Sequence, residues 1–255
     1  MSDQINYHFV LSGGGLRGLA HLGVIKAFEE AAIRPDKISG TSAGAMAGAF
    51  LADGLTPDEI LDIFKKHIGV KLVAWNSFKM GLVSMVKIKK FLEQYLSART
   101  FEELNYPLFI TATDFLNGKQ KIFEKGLLAD ALLASCAIPA LFPPVFIDGI
   151  PYVDGGLSNN LPVEPFMDGL AETIAVHVNP LKPFKMVEGV FEVLDRALHL
   201  SFRSLVHQSA AGCRLFIEPP GLQSFGMFET DKLEDIFNCG YLYTRELLIK
   251  DVPLK

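Results

Sequence analysis

Ser42 stands at the centre of Gly40-Thr41-Ser42-Ala43-Gly44, a G-x-S-x-G pattern that follows a β-like run and opens a helical one. That setting presents a hydroxyl on a tight strand-to-helix turn, with a helix N-terminus behind it to favour negative charge. Upstream, Tyr7 to Leu11 runs into Ser12-Gly13-Gly14-Gly15-Leu16-Arg17-Gly18. Backbone N–H groups of Gly13, Gly14 and Gly15 are candidates for an oxyanion hole, which an attacking hydroxyl needs when charge develops on a carbonyl oxygen. Arg17 and Gly18 are supporting candidates, as are Gly40 and Gly44 around the serine. The chemistry indicated is acyl-ester hydrolysis by a serine nucleophile; a helix N-cap serine is the plainer alternative for Ser42.

Gly13 to Gly18 also fits G-x-G-x-x-G, the dinucleotide fingerprint, so a nucleotide-binding protein is a second function class. That reading wants a carboxylate at the end of the second strand. Asp36 comes before that strand and its end carries Ser39-Gly40, with no acid. The two classes separate by experiment, since a cofactor binder would survive Ser42→Ala.

A nucleophilic serine needs a base, and Asp154 and His177 are the candidates. Asp154-Gly155-Gly156 follows a strand-like run and begins a loop, which places the carboxylate at an edge; Gly155 and Gly156 join the supporting residues. Partial burial would raise the carboxyl pKa and improve it as a base. His177 would complete the Ser…Asp…His order of a general carboxylesterase. The dipeptide Asp148-Gly149 is explained by a two-residue turn. No H-E-x-x-H occurs, and Cys136, Cys213 and Cys239 have no metal-ligand spacing, so no catalytic metal is expected.

These residues need elements to hold them. Apolar runs bounded by turn residues alternate with stretches of helical period, which predicts an α/β fold with a largely parallel central sheet flanked by helices. Strands are expected at Tyr7–Leu11, Lys37–Ser39, Leu108–Asp114, Gln120–Glu124, Val145–Ile147, Ile150–Val153, Thr173–Val178 and Arg214–Glu218. Helices are expected at Leu16–Ala32, Ala43–Ala52, Asp58–Lys66, Lys87–Leu96, Leu127–Ser135, Val187–Ala211 and Asp231–Ile249. The chain reads as one domain over 1–255, with the motif-bearing core at about 7–180 and a helical part at about 187–250 packed on it.

A hydrophobic share of 49%, a charged share of 21% and a net charge of −5 fit a globular protein and argue against nucleic acid as a partner. The start of the chain lacks a secretory pattern, and the most apolar stretch, Ala131 to Ile147, is broken by Pro139, Pro143 and Pro144. A cytoplasmic protein is expected. One segment runs against the acidic balance. Ile63 to Leu92 holds no Asp or Glu but has Lys65, Lys66, Lys71, Lys79, Lys87, Lys89 and Lys90. Leu72, Trp75, Phe78, Met80 and Met85 alternate with these lysines and are candidates for an acyl-facing wall. The mixture suits transient contact with anionic headgroups, peripheral to the inner face of a membrane; a solvated loop and helix is the alternative.

Four blocks together resemble the patatin-like phospholipase family: Gly13-Gly14-Gly15-Leu16-Arg17-Gly18; Gly40-Thr41-Ser42-Ala43-Gly44; Ala134-Ser135-Cys136-Ala137-Ile138-Pro139 with Phe142-Pro143; and Asp154-Gly155-Gly156 followed by Asn159-Asn160-Leu161-Pro162. They cover roughly Val10 to Val163. The resemblance implies a patatin-like hydrolase architecture and a Ser42–Asp154 dyad. It also implies an oxyanion hole from Gly13 to Gly15, no cofactor, and a phospholipid or other fatty-acyl ester as substrate. His177 then becomes structural. The family often carries an acid where this chain has Ser12.

Overall fold

A computed structural model of the chain describes residues 5–68, 85–181 and 190–250. The first strand, β1 (Ile5–Leu11), leads through a 3-10 turn (Gly15–Gly18) into α1 (Leu19–Glu30), and β2 (Ile33–Thr41) runs into α2 (Ala43–Ala52). After α3 (Pro57–Ile68) and α4 (Met85–Tyr95) come β3 (Leu108–Asp114), β4 (Lys119–Phe123) and α5 (Leu128–Ser135). The chain continues through β5 (Val145–Ile147), β6 (Ile150–Asp154), β7 (Thr173–Val176), α6 (Val190–Ala210), β8 (Leu215–Ile217) and α7 (Leu233–Ile249).

All the described strands join one sheet in the order β5-β6-β3-β2-β1-β7-β8, with β4 added to β3. From β3 to β8 along that order the pairs are parallel; β4, β5 and β6 pair antiparallel. The chain first builds outward from β1 to β2 and β3, then returns to the far side of β1 with β7. Strand order therefore reverses beside β1, and such a reversal opens a crevice at the carboxyl ends of the strands.

Alternation along the strands divides the core. Phe9, Leu11, Ile38, Leu108, Ile110, Ile174 and Val176 face α1, α2, α5 and α7, whereas Val10, Phe109, Ala175 and Phe216 meet Val206 and Ala210 of α6. Burial on both faces explains why these strands read as continuous apolar runs. Helix α7 lies very close to α1: a Cβ on Gly23 would come within 2.0 Å of the Phe237 carbonyl oxygen, and one on Gly240 within 2.2 Å of the Ala20 oxygen.

The second strand is longer than its apolar signal. It begins at Ile33, through Arg34-Pro35-Asp36, and the β1–β2 register shifts between Tyr7 and His8, where Asp36 bulges out. A polar, proline-bearing bulge carries no period-two pattern. His8 Nδ1 lies 2.7 Å from Asp36 Oδ1 there.

Candidate active site

The sheet edge of β3 brings the two key side chains together. Strand β4 occupies Ile110 to Asp114 along one edge. Strands β2, paired from Leu108 to Thr111, and β6, paired from Ala112 to Asp114, must therefore share the other edge end to end. Thr41 faces Thr111 and Asp154 faces Ala112, so Ser42, one residue past β2, arrives beside Asp154, the last residue of β6.

Ser42 has φ 52° and ψ −116°, a backbone that side-chain-bearing residues avoid at a cost of about 1–3 kcal/mol. Its N–H donates to Ser135 Oγ at 2.8 Å, and Ser135 donates in turn to the Thr111 carbonyl at 2.6 Å. These two bonds tie the turn to β3. The hydroxyl makes no capping bond to α2 and lies close enough to the Asp154 carboxylate to favour its ionised form. Close backbone approach makes the flanking glycines necessary. A Cβ would lie 2.6 Å from Ala45 N on Gly40, 2.1 Å from the Leu11 oxygen on Gly44, and 2.2 Å from the Thr111 oxygen on Gly155.

Asp154 is 8% exposed and also accepts the Gly156 N–H at 2.8 Å. Burial pushes its carboxyl up to about 6, against the opposing pull of the Gly156 N–H and the nearby Ser42 hydroxyl. Burial and the nearby Asp154 charge push the thiol pKa of Cys136 up, so it stays protonated at neutral pH.

Ser42 and Asp154 border a cavity of about 60 Å³ with Gly13, Gly14 and Gly15, walled by Ile138, Leu157, Phe202 and Met227. The glycine loop is held from several sides. The Gly13 carbonyl accepts from Asn179 Nδ2 at 2.6 Å and from Ser12 Oγ at 3.0 Å, which fixes that peptide plane and hence the direction of the Gly14 N–H. Ser12 Oγ also accepts the Val178 N–H, and His21 Nε2 donates to the Ser12 carbonyl at 2.8 Å. The Gly13 N–H donates to the Asn160 carbonyl at 3.2 Å. Among the described residues, no hydrogen bond takes the N–H of Gly14 or Gly15.

Residues 9–167 match the family model described as patatin-like phospholipase. The chain belongs to that family. An NTE family protein of Mycobacterium tuberculosis is 35% identical over 173 residues, covering 66% of this chain and 48% of that protein. Lysophospholipase nte1 of Aspergillus terreus is 29% identical over 277 residues, covering 94% of this chain and 18% of that protein. The chain thus spans less than half the length of these curated relatives. The crystal structure of VipD from Legionella pneumophila superimposes with a TM-score of 0.55 at 16% identity, covering 97% of this chain and 67% of VipD, a likeness of fold.

In this patatin-like chain the remaining candidates fall in several places. Arg17 is fully buried in the turn after the glycines, and Gly18 packs so closely that a Cβ would lie 2.5 Å from Ala43 Cβ. His177 is buried outside the cavity lining, with Nδ1 2.8 Å from Glu218 Oε1, and burial lowers its pKa. Met85 opens α4 and packs beside Ile138 and Phe142. Leu72, Trp75, Phe78 and Met80, with Lys71 and Lys79, lie outside the described residues. Of the other lysines in that segment, Lys65 pairs with Glu234 and Lys89 with Asp130. No helix among the described residues is long and apolar enough to cross a membrane.

Several site residues carried no functional signal in the sequence. Ser135 and Asn160 lie inside blocks that mark the family, so block membership was the available pointer. Asn179, Phe202 and Met227 come from stretches without any pattern, and only the topology delivers them.

Proposed function

We propose that the chain is a serine acyl-ester hydrolase acting on fatty-acyl lipids such as phospholipids or lysophospholipids. The observation that carries this reading is that Ser42, on its strained turn, and a buried Asp154 line the same cavity, with burial raising the carboxyl to about 6, high enough for a useful base and low enough to be ionised at pH 7. Ser42 Oγ attacks the acyl carbonyl while its proton passes to Asp154. The charge on the carbonyl oxygen is met by the N–H groups of Gly14 and Gly15 and by the α2 N-terminus. Collapse of the tetrahedral adduct breaks the ester C–O bond, and the leaving alcohol takes the proton from Asp154. Water then attacks the acyl-enzyme with Asp154 as base, releasing a fatty acid and restoring Ser42.

The apolar walls support an acyl substrate, and the small cavity has room for the ester group rather than a whole chain. A Ser42–Asp154–His177 triad would need the His177 ring, which is buried outside the cavity lining with Nδ1 on Glu218, to reach both Ser42 and Asp154. Contact of residues 63–92 with an anionic lipid surface belongs to the same proposal, with exposed Lys66, Lys87 and Lys90 the described lysines available to it. The test is fatty-acid release, followed by mass spectrometry, from phosphatidylcholine and lysophosphatidylcholine by the native chain and by Ser42→Ala. Release by the native chain alone is expected; release by neither, or by both equally, overturns the proposal.

A further inference from the structure

The glycine loop offers fewer donors to substrate than its sequence promises, because the Gly13 N–H is already bonded to the Asn160 carbonyl. The side chain of that same residue returns to the cavity. Asn160 is 5% exposed and borders the space beside Gly13, Gly14, Ser42 and Asp154. The position that a Cβ would take on Gly13 is 2.9 Å from Asn160 Nδ2 and 3.4 Å from Ser42 Cβ. The equivalent position on Gly156 is 3.2 Å from Nδ2 and 3.1 Å from Asp154 Oδ1. The amide nitrogen therefore sits between the glycine loop and the Asp154 turn, next to both reacting side chains.

This carboxamide is not satisfied within the fold. Asn160 Oδ1 is buried without a hydrogen-bond partner, and among the described residues no hydrogen bond engages Nδ2. A buried polar group left in that state opposes folding, and its retention at a reaction centre is understood when a ligand completes its bonding. The ligand group that fits an amide N–H here is an oxygen bearing negative charge beside Ser42.

We propose that the Asn160 side-chain amide donates a hydrogen bond to the oxyanion formed on the acyl carbonyl, in place of the Gly13 N–H. This rests on the hydrolase reading above. It makes Asn160 a catalytic residue that acts in the transition state, with Gly14 and Gly15 as its backbone companions. A neutral amide suits the position, since it offers donors without adding a charge that would hold Asp154 ionised in an ion pair.

The test compares the native chain with Asn160→Ala and Asn160→Asp, using p-nitrophenyl butyrate as substrate and an alkyl trifluoromethyl ketone as a tetrahedral-adduct inhibitor. Loss of one such donor should lower kcat by about 10²–10³-fold, with KM changed by less than about threefold because the ground-state ester gains little from the bond. Ketone affinity should fall in parallel with kcat/KM. Asn160→Asp, nearly the same shape, should fall at least as far, because a carboxylate repels both the oxyanion and Asp154; circular dichroism at the assay temperature checks that each variant is folded. An Asn160→Ala chain within about threefold of native kcat/KM would overturn the proposal. A kcat loss without matching loss of ketone affinity, in either variant, would overturn it too. These failures leave native esterase activity intact, whereas a native chain without any such activity would remove the hydrolase reading itself.

Discussion

Replacing Asp154 with asparagine should make the protein more stable at neutral pH while destroying its activity. The ordinary carboxyl value of 3.8 is raised to about 6 in the fold, a shift of roughly 2 units, or about 3 kcal/mol at 1.36 kcal/mol per unit. Because the folded pKa lies above the unfolded one, the folded chain holds the extra proton between about pH 4 and pH 6. Stability from this group is thus complete below pH 4 and lost as pH rises through 6. Asparagine keeps an acceptor oxygen for the Gly156 N–H but carries no charge to bury. At pH 8 Asp154→Asn should therefore be more stable than the native chain by up to about 3 kcal/mol, about 6–12 °C in Tm for a chain of this size. At pH 5 the advantage should shrink by about 1.4 kcal/mol, as the native carboxyl becomes mostly protonated. Urea unfolding followed by circular dichroism at the two pH values reads the difference directly. An Asn variant less stable than native at pH 8, or a gap that does not change with pH, would refute the reasoning from burial. Esterase activity of the same variant should fall by about 10²–10⁴-fold, the usual worth of a positioned base.

The native chain's kcat/KM should rise about tenfold per pH unit up to a midpoint near 6 and then level off, as Asp154 ionises; a profile flat from pH 5 to 8 would deny Asp154 the role of base. Ser42→Gly should be more stable than Ser42→Ala by about 1–2 kcal/mol, since only glycine relaxes at φ 52° and ψ −116°. Equal stabilities, measured by thermal unfolding, would mean that the turn stores no strain. Ser135→Ala removes the acceptor of the Ser42 N–H and the donor to the Thr111 carbonyl. It should cost about 1–3 kcal/mol and lower kcat more than it raises KM, while a fully active variant would show that the turn holds without that bridge.

How much the sequence disclosed depended on whether a feature was local. Helix α2 and strand β3 have the predicted bounds, Ala43–Ala52 and Leu108–Asp114, because each is a strong apolar run punctuated by glycine, proline or aspartate. The start of β2 was invisible because its polar bulge is stabilised by pairing with β1, a tertiary fact. The same limit applies at the site. Glycine spacing identified the loop around Gly13 to Gly15 but not that the Gly13 N–H would bond to the distant Asn160 carbonyl. Nor did spacing reveal that β6 takes over from β2 along one edge of β3, the arrangement that sets Asp154 beside Ser42. Arg17, a supporting candidate beside the glycines, is fully buried, which periodicity in a glycine-rich turn does not report.

Every expectation of activity above depends on an activated Ser42 served by Asp154. The most direct measurement is intact-mass detection of covalent labelling by a serine-directed fluorophosphonate on the native chain, Ser42→Ala, Asp154→Asn and His177→Ala. One label is expected on the native chain and on His177→Ala, none on Ser42→Ala, and a severe loss of labelling on Asp154→Asn. Labelling that survives Ser42→Ala, or that disappears with His177→Ala while the fold is retained, would contradict it.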